Sequence, residues 1–422
     1  MASTRQVHLR FDNRRNQGAE QEIWLLLTRH VIDSSRISDF ISLKVDVEDE
    51  LLCSASHVAD RMVVASKGTY TNSTHVLVRT KIFASQPSGV LSIFTSYDGD
   101  AMEVGFTLTA YASSDFDLSW DETIPTPPYT KKIDGVLTSK NAGGNCMYPT
   151  FMQNPQYHLR VHPQRLALQG GLVKSSVALT MQTSRDIPVN VSLAYSQGGR
   201  IDELAESELT ASSGAYSYGL ARVRKEISRE SDPNNQSRIY QRVLMLFAAG
   251  DYTVILSAFE PHHMGPYSLK VDSSQPFDLS PVPQEGAGMY TKIIRGAWKS
   301  RTAVGGPASD TYAKNPIFEI DVPSLTQLKI RLQLLRPFTP TSLNITIFPA
   351  SSDGQRPIAT SGAYNDAISG VVTPEVSLGK GRYWAVPSTY NAGVEAGFQL
   401  FVYTTVVGVT VAQRPGVDCQ CV

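Results

Sequence analysis

The chain has no surplus of basic charge: 38 Lys and Arg stand against 39 Asp and Glu, a net of −1 over 422 residues. Phosphate binding needs a cationic excess, so nucleic acid is excluded as the main partner. No apolar run approaches the ~18 residues of a membrane span. The opening MASTRQVHLRFDNRR lacks the apolar stretch of a secretory signal. Cysteine is scarce too. Cys53, Cys146, Cys419 and Cys421 make no disulfide framework, which points to a reducing, cytoplasmic setting. Long amphipathic helices are missing; only residues 207–228 could hold a short one at their end.

What the sequence does have is strand-like alternation. QVHLRF (6–11) places Val7, Leu9 and Phe11 on one face, and TQLKIRLQL (326–334) does the same with Leu328, Ile330, Leu332 and Leu334. NVSLAY (190–195) and NITIFP (344–349) alternate likewise, whereas EIWLLL (22–27) reads as a strand buried on both faces. Gly, Pro, Ser, Asn and Asp clusters separate the runs, the pattern of antiparallel β-sandwiches.

The alternation repeats at long range. GDYTVILSAFEPHHMGPY (250–267) aligns without a gap to residues 381–398 and to residues 89–106. Gly89, Gly250 and Gly381 coincide, as do Ser96, Ser257 and Ser388, and the aromatics Phe106, Tyr267 and Phe398. The fronts recur as well. Residues 129–161 match residues 290–322, pairing Tyr129 with Tyr290, Gly135 with Gly296, and Asn154-Pro155 with Asn315-Pro316. The expectation is an all-β chain of three consecutive antiparallel sandwiches at 1–115, 116–280 and 281–410, with a tail at 411–422. The first copy begins at the strand that follows Asn-Pro elsewhere and lacks the front segment. A copy that starts midway is expected either to continue upstream of Met1 or to be a divergent first domain.

The front pattern of the third copy comprises Trp298, Ser300, Ala303, Gly305, Gly306, Asn315, Pro316 and Phe318. The second carries it at Ser139, Ala142, Gly143, Gly144, Cys146, Phe151, Asn154, Pro155 and Tyr157, but has Val136-Leu137 where the third has Ala297-Trp298. This pattern resembles the front of the calpain C2-like domain (domain III). The stretches Gly250–Pro261 and Gly381–Asn391 resemble that domain's end signature, and WLLLTRH (24–30) resembles a strand of the first C2-like domain in PalB-type calpains. In that family consecutive C2-like domains follow a papain-like protease core that acts in fungal ambient-pH signalling. The resemblance implies a non-catalytic array with protein partners: the protease core, its substrate or an endosomal sorting scaffold. It also implies endosome association, with peripheral membrane contact as a further option, and no cofactor. The family's catalytic strings Gly-Asp-Cys-Trp, Gly-His-Ala-Tyr and Asn-Pro-Trp-Gly do not occur, so no catalytic residue is assigned.

Other candidate residues have simpler readings beside the functional ones. Cys146 and His158 could form a nucleophile–base pair, but the third copy has Ala308 and Glu319 at those positions, which favours a turn cysteine. His262-His263 lack a third ligand at zinc spacing. Asp46, Glu48, Asp49 and Glu50 could supply part of a calcium shell, as in true C2 domains, which also bind lipid. If their strand continues through Val47, Asp46 and Glu48 share its outer face and calcium loses its cluster. Arg222, Arg224, Lys225 and Arg229 could meet an acidic headgroup or partner, with Glu226 and Glu230 diluting the charge. Four N-x-S/T matches occur, at Asn72, Asn190, Asn235 and Asn344; without secretion they meet no glycosylation machinery. The ending Cys419-Gln420-Cys421-Val422 has a cysteine at the prenylation position but no aliphatic pair after it.

Overall fold

The computed structural model describes residues 2–14, 21–30, 38–48, 69–82, 88–99, 104–113, 116–120, 127–162, 175–202, 209–227, 251–335, 341–350 and 356–414. They are almost entirely β and pair antiparallel throughout.

The first sandwich contains β1 (Ser3–Asp12), β2 (Gln21–Arg29), β3 (Phe40–Glu48), β4 (His75–Ile82), β5 (Ser88–Asp98), β6 (Phe106–Tyr111) and β7 (Asp117–Trp120). One sheet runs β3-β5-β1-β7 and the other β4-β2-β6. Strand β7 pairs with β1, so this sandwich extends past the expected boundary at 115.

The second contains β8 (Tyr129–Leu137), β9 (Gln156–Val161), β10 (Ser175–Thr183), β11 (Pro188–Tyr195), β12 (Leu209–Ser212), β13 (Ser217–Tyr218), β14 (Leu220–Ile227), β15 (Asp251–Ala258), β16 (Gly265–Ser273) and β17 (Phe277–Pro281). Its sheets run β14-β10-β16-β8 and β12-β11-β15-β9-β17. The third contains β18 (Tyr290–Trp298), β19 (Phe318–Val322), β20 (Thr326–Leu334), β21 (Leu343–Pro349), β22 (Ala359–Thr360), β23 (Val371–Val372), β24 (Val376–Leu378), β25 (Gly381–Thr389), β26 (Ala396–Thr404) and β27 (Thr410–Gln413). Its sheets run β18-β26-β20-β23 and β22-β21-β25-β19-β27. Strand β27 pairs with β19 and likewise runs past the expected boundary at 410.

Each sandwich closes around its own apolar core, because alternate residues of every strand point inward. Leu9, Ile23, Leu25, Leu43 and Ile93 fill the first core. Leu159, Val191, Val254 and Leu269 fill the second, and Phe318, Ile330, Ile345 and Leu400 the third. By chain contacts the described residues form two compact units. One takes in 1–142, 154–199 and 205–282; the other takes in 143–153, 200–204 and 283–422.

Two local expectations are corrected. Residues 220–227 form strand β14, not the end of a helix: Ala221 and Val223 face the core and the strand pairs with β10 along its length. Tertiary pairing overrides the helix-friendly composition there. Strand β2 is not buried on both faces. Ile23, Leu25 and Leu27 are in the core, while Trp24 is exposed, with the Arg79 guanidinium 5.7 Å above its ring.

Candidate functional site

The front motif is an architectural device. Gly305 sits at φ +83°, and a Cβ there would come 2.9 Å from the Ala392 backbone nitrogen, so only glycine fits. Its carbonyl accepts a hydrogen bond from Asn315 Nδ2 at 2.9 Å, and the same amide reaches Tyr312 O at 3.0 Å. Asn315 and Pro316 are buried, and strand β19 starts two residues later. A Cβ on the neighbouring Gly306 would meet the Tyr364 hydroxyl at 2.9 Å. In the second copy Gly144 is also left-handed, at φ +76°, and Thr150 Oγ1 donates to the Gly143 carbonyl at 2.8 Å. Asn154 and Pro155 are buried, and Pro155 O accepts from the Leu256 amide at 3.0 Å. Trp298 is buried, packs on Phe398 with ring centroids 4.3 Å apart and donates from Nε1 to Pro387 O at 3.1 Å. Leu137, equally buried, occupies the corresponding place in the second copy.

A second recurrent device was not legible as such. Tyr216 and Ser257 share a hydroxyl–hydroxyl bond of 2.8 Å, and Tyr364 and Ser388 one of 2.7 Å. Tyr70 interacts with Ser96 in the first copy, and burial raises its pKa. Two of the N-x-S/T matches also have structural work. Asn190 Nδ2 donates to Gly214 O and Asn344 Nδ2 to Gly362 O, each at 2.7 Å. The hydroxyls of Ser192 and Thr346 donate back to those asparagines at 2.8 Å. The pattern recurs because each asparagine ties its strand to a neighbouring bend.

Within the first unit, polar side chains join the first sandwich to the second. Lys44 stands on the outer face of β3, yet it is buried: its Nζ donates to Leu220 O at 3.3 Å and Ser217 Oγ at 3.4 Å. Burial pushes its pKa down against the pull of Asp46. Arg185 bonds Asp98 at 2.9 Å and lies 3.8 Å above the Phe40 ring centroid. Arg222 stacks over Phe94 at 5.1 Å, and Gln182 Nε2 donates to Ala2 O at 2.6 Å.

The second unit holds a denser ionic cluster. Arg331 is 1% exposed, and its guanidinium donates to both carboxylate oxygens of Glu285, at 2.8 and 2.5 Å, and to Ser369 O at 2.8 Å. Asp202 approaches the same fork at 2.8 Å. Burial opposes both charges, but their mutual bonds outweigh it: Arg331 is raised and Glu285 is held below the usual glutamate range. Burial and the Glu285 charge drive Tyr403 upward. Arg200 donates to Pro283 O at 2.8 Å and to Met152 O at 2.5 Å, and Gln333 Nε2 to Pro149 O at 2.6 Å. Segments 143–153 and 200–204 are thereby held in this unit.

The remaining sequence candidates separate. His158 Nε2 is engaged by Asp251 at 2.5 Å. Hydrogen bonds from Arg160 first, then from His158, hold Asp251 below the usual carboxylate range. Cys146 is an exposed free thiol on a turn. It belongs to the second unit and His158 to the first. Among the described residues no group of three or more His, Cys, Asp or Glu is placed to hold a metal. His263 instead accepts from the Glu260 amide at 3.3 Å. Strand β3 runs through Glu48 with Asp46 opposite Ser92, while Asp49 and Glu50 lie outside the described residues. Of the basic group, Arg222 is turned onto Phe94 and Arg224 is exposed; Arg229 lies outside the described residues, as do Cys53, Cys419 and Cys421. Lys44 and Arg331 escaped the sequence reading because a charged residue at an outward position of a strand reads as solvated, and Glu285 because a charged residue in the turn between β17 and β18 reads the same way.

Comparison with known proteins agrees with this geometry. Residues 135–271 match the calpain large subunit domain III, and residues 291–411 match the RIM13 third calpain-like domain. These sandwiches are therefore of the calpain domain III class, which is non-catalytic. More particularly, the chain belongs with the PalB/RIM13 calpain-like family. It is 33% identical over 392 residues to the calpain-like protease palB/RIM13 of Cryptococcus neoformans var. neoformans serotype D, covering 91% of this chain and 44% of that protein. It is 26% identical to palB/cpr-8 of Neurospora crassa, over 73% of this chain and 33% of that one. For palB/RIM13 of Aspergillus oryzae the figures are 25%, 85% and 39%. The chain thus spans less than half the length of these curated relatives.

Proposed function

We propose that this chain is the positioning module of a PalB-type calpain-like cysteine protease. The parent protein would be a cytoplasmic endopeptidase that processes a pH-responsive transcription factor, and the module would set the protease core, its substrate or an endosomal scaffold at fixed separation. The observation that carries this reading is that polar side chains, the buried Lys44 among them, tie the first sandwich to the second. Lys44 and Arg185 tie the first sandwich to the second in one unit. In the other unit, Arg331 and Arg200 tie segments 143–153 and 200–204 beside the third sandwich. Such ties give a spacer a defined geometry, which a module that only lengthened the protein would not need. The relatives being called calpain-like proteases supports the assignment of the parent activity.

The test deletes the region equivalent to residues 1–414 from the Cryptococcus relative and follows cleavage of its transcription-factor substrate in cells after an alkaline shift. Processing should fall at least tenfold, while the isolated core still hydrolyses a short peptide. Unchanged processing would sink the reading. The purified chain should show no cysteine-dependent casein hydrolysis, and its Cys146→Ala variant should be indistinguishable from it.

A further inference from the structure

The three sandwiches differ at one sheet edge. In the second, strand β16 is flanked by β8; in the third, β26 is flanked by β18. Their counterpart in the first is β6, which pairs with β2 on one side, and among the described residues no strand pairs with its other side. The edge also bares an aromatic. Tyr267 and Phe398 are 4% and 0% exposed, whereas Phe106, at the same place in the repeat, is 37% exposed.

The flanking strands show what fits there. Gly135 stands opposite Tyr267 and Gly296 opposite Phe398. A Cβ on Gly135 would fall 2.4 Å from the Tyr267 ring, and one on Gly296 would fall 2.6 Å from the Phe398 ring. The aromatic therefore lies flat across a strand that must be glycine at that point. Two residues further along that strand a large apolar side chain, Leu137 or Trp298, closes the edge of the core. Two residues before the glycine sits Ile133 or Ile294, packed against the core.

We infer that the outer edge of β6 is an acceptor for one antiparallel strand, of pattern Ile-x-Gly-x-(Leu/Trp), with its glycine under Phe106. Exposed edges bind extended segments through the main chain, and side-chain pockets supply the selectivity. Here Phe106 is the selective element. The donor is a strand of this pattern other than Tyr129–Leu137 and Tyr290–Trp298, which are already paired in their own sandwiches. A second copy would have to dismantle a sandwich to supply one.

The experiment adds the synthetic peptide YTKIIRGAW, or its valine form YTKIIRVAW, to the full chain and reads binding by calorimetry and by amide hydrogen exchange. The glycine peptide should bind one to one and protect residues 106–111. The valine peptide should bind at least tenfold more weakly. In the Phe106→Ala chain the two peptides should bind alike, since the ring that excludes Cβ is gone. Protection confined to 265–273 or 396–404 would overturn the inference, as would equal binding of both peptides to the unaltered chain. Protection of 106–111 through self-association without peptide would overturn the choice of donor.

Discussion

Glu285 grips Arg331 through both carboxylate oxygens, and the two side chains are 2% and 1% exposed. A pair so dry gains little over an apolar pair of the same shape, but it is costly to break on one side only.

Glu285→Gln should therefore destabilise the third sandwich by about 3 kcal/mol, because Arg331 keeps its charge with only the part-exposed Asp202 to balance it. Replacing both partners, Glu285→Leu with Arg331→Met, should recover most of that loss. Urea unfolding of the four proteins measures the coupling. A double variant as unstable as the sum of the two singles would show that the pair is not coupled.

The same pair sets an acid limit. Glu285 has its folded pKa held below the ordinary 4.5, so its contribution is complete above the unfolded value and disappears as pH falls through the folded one. Thermal stability of the third sandwich should drop as pH is lowered below about 4.5, and the Glu285→Gln protein should show a flatter acid limb. Scanning calorimetry across that range compares the two slopes.

Trp298 and Leu137 fill equivalent places, so the third core should tolerate leucine better than alanine. Trp298→Leu is expected to cost about 2 kcal/mol and Trp298→Ala about 4 kcal/mol, the difference reflecting the residual cavity against Phe398. Denaturant midpoints at constant slope test the ranking.

Gly305 and Gly288 are both left-handed, at φ +83° and +77°, but only Gly305 has backbone within reach of a Cβ. Gly288→Ala should cost about 1 kcal/mol from conformation alone. Gly305→Ala should cost at least about 2 kcal/mol, adding displacement of the Ala392 backbone to the same strain. Equal losses would mean that the loop at Ala392 gives way freely.

Much of the architecture was readable because it repeats. Aligning Asn154 with Asn315 located the strand entries that appear here at β9 and β19. The alternation of QVHLRF and TQLKIRLQL placed Leu9, Phe11, Leu328 and Ile330 inward, where they are found. Residues 220–227 were less readable, since Ala, Arg, Lys and Glu suit a helix and only pairing with β10 decides for a strand. The ties at Lys44 and Arg331 were hidden for a different reason. Alternation tells which residues leave a sheet's own core, but not whether another segment then covers them. The coincidence of Ser96, Ser257 and Ser388 was visible, while its tyrosine partners were not, because Tyr70, Tyr216 and Tyr364 come from connections that do not align.

Those tyrosine–serine bonds bear on how the repeats could diverge. In each sandwich the serine lies on a central strand, while the tyrosine belongs to the long connection that leads back to it. That connection runs from Tyr195 to Asp251 in the second copy but only from Pro349 to Gly381 in the third. A rope moored at one point can be lengthened beyond the mooring without moving the quay. The second copy's extra length lies between β14 and β15, after the strand that pairs with β10, whereas β24 and β25 nearly abut in the third; a change of length there interrupts no described strand and leaves the moored serine in place.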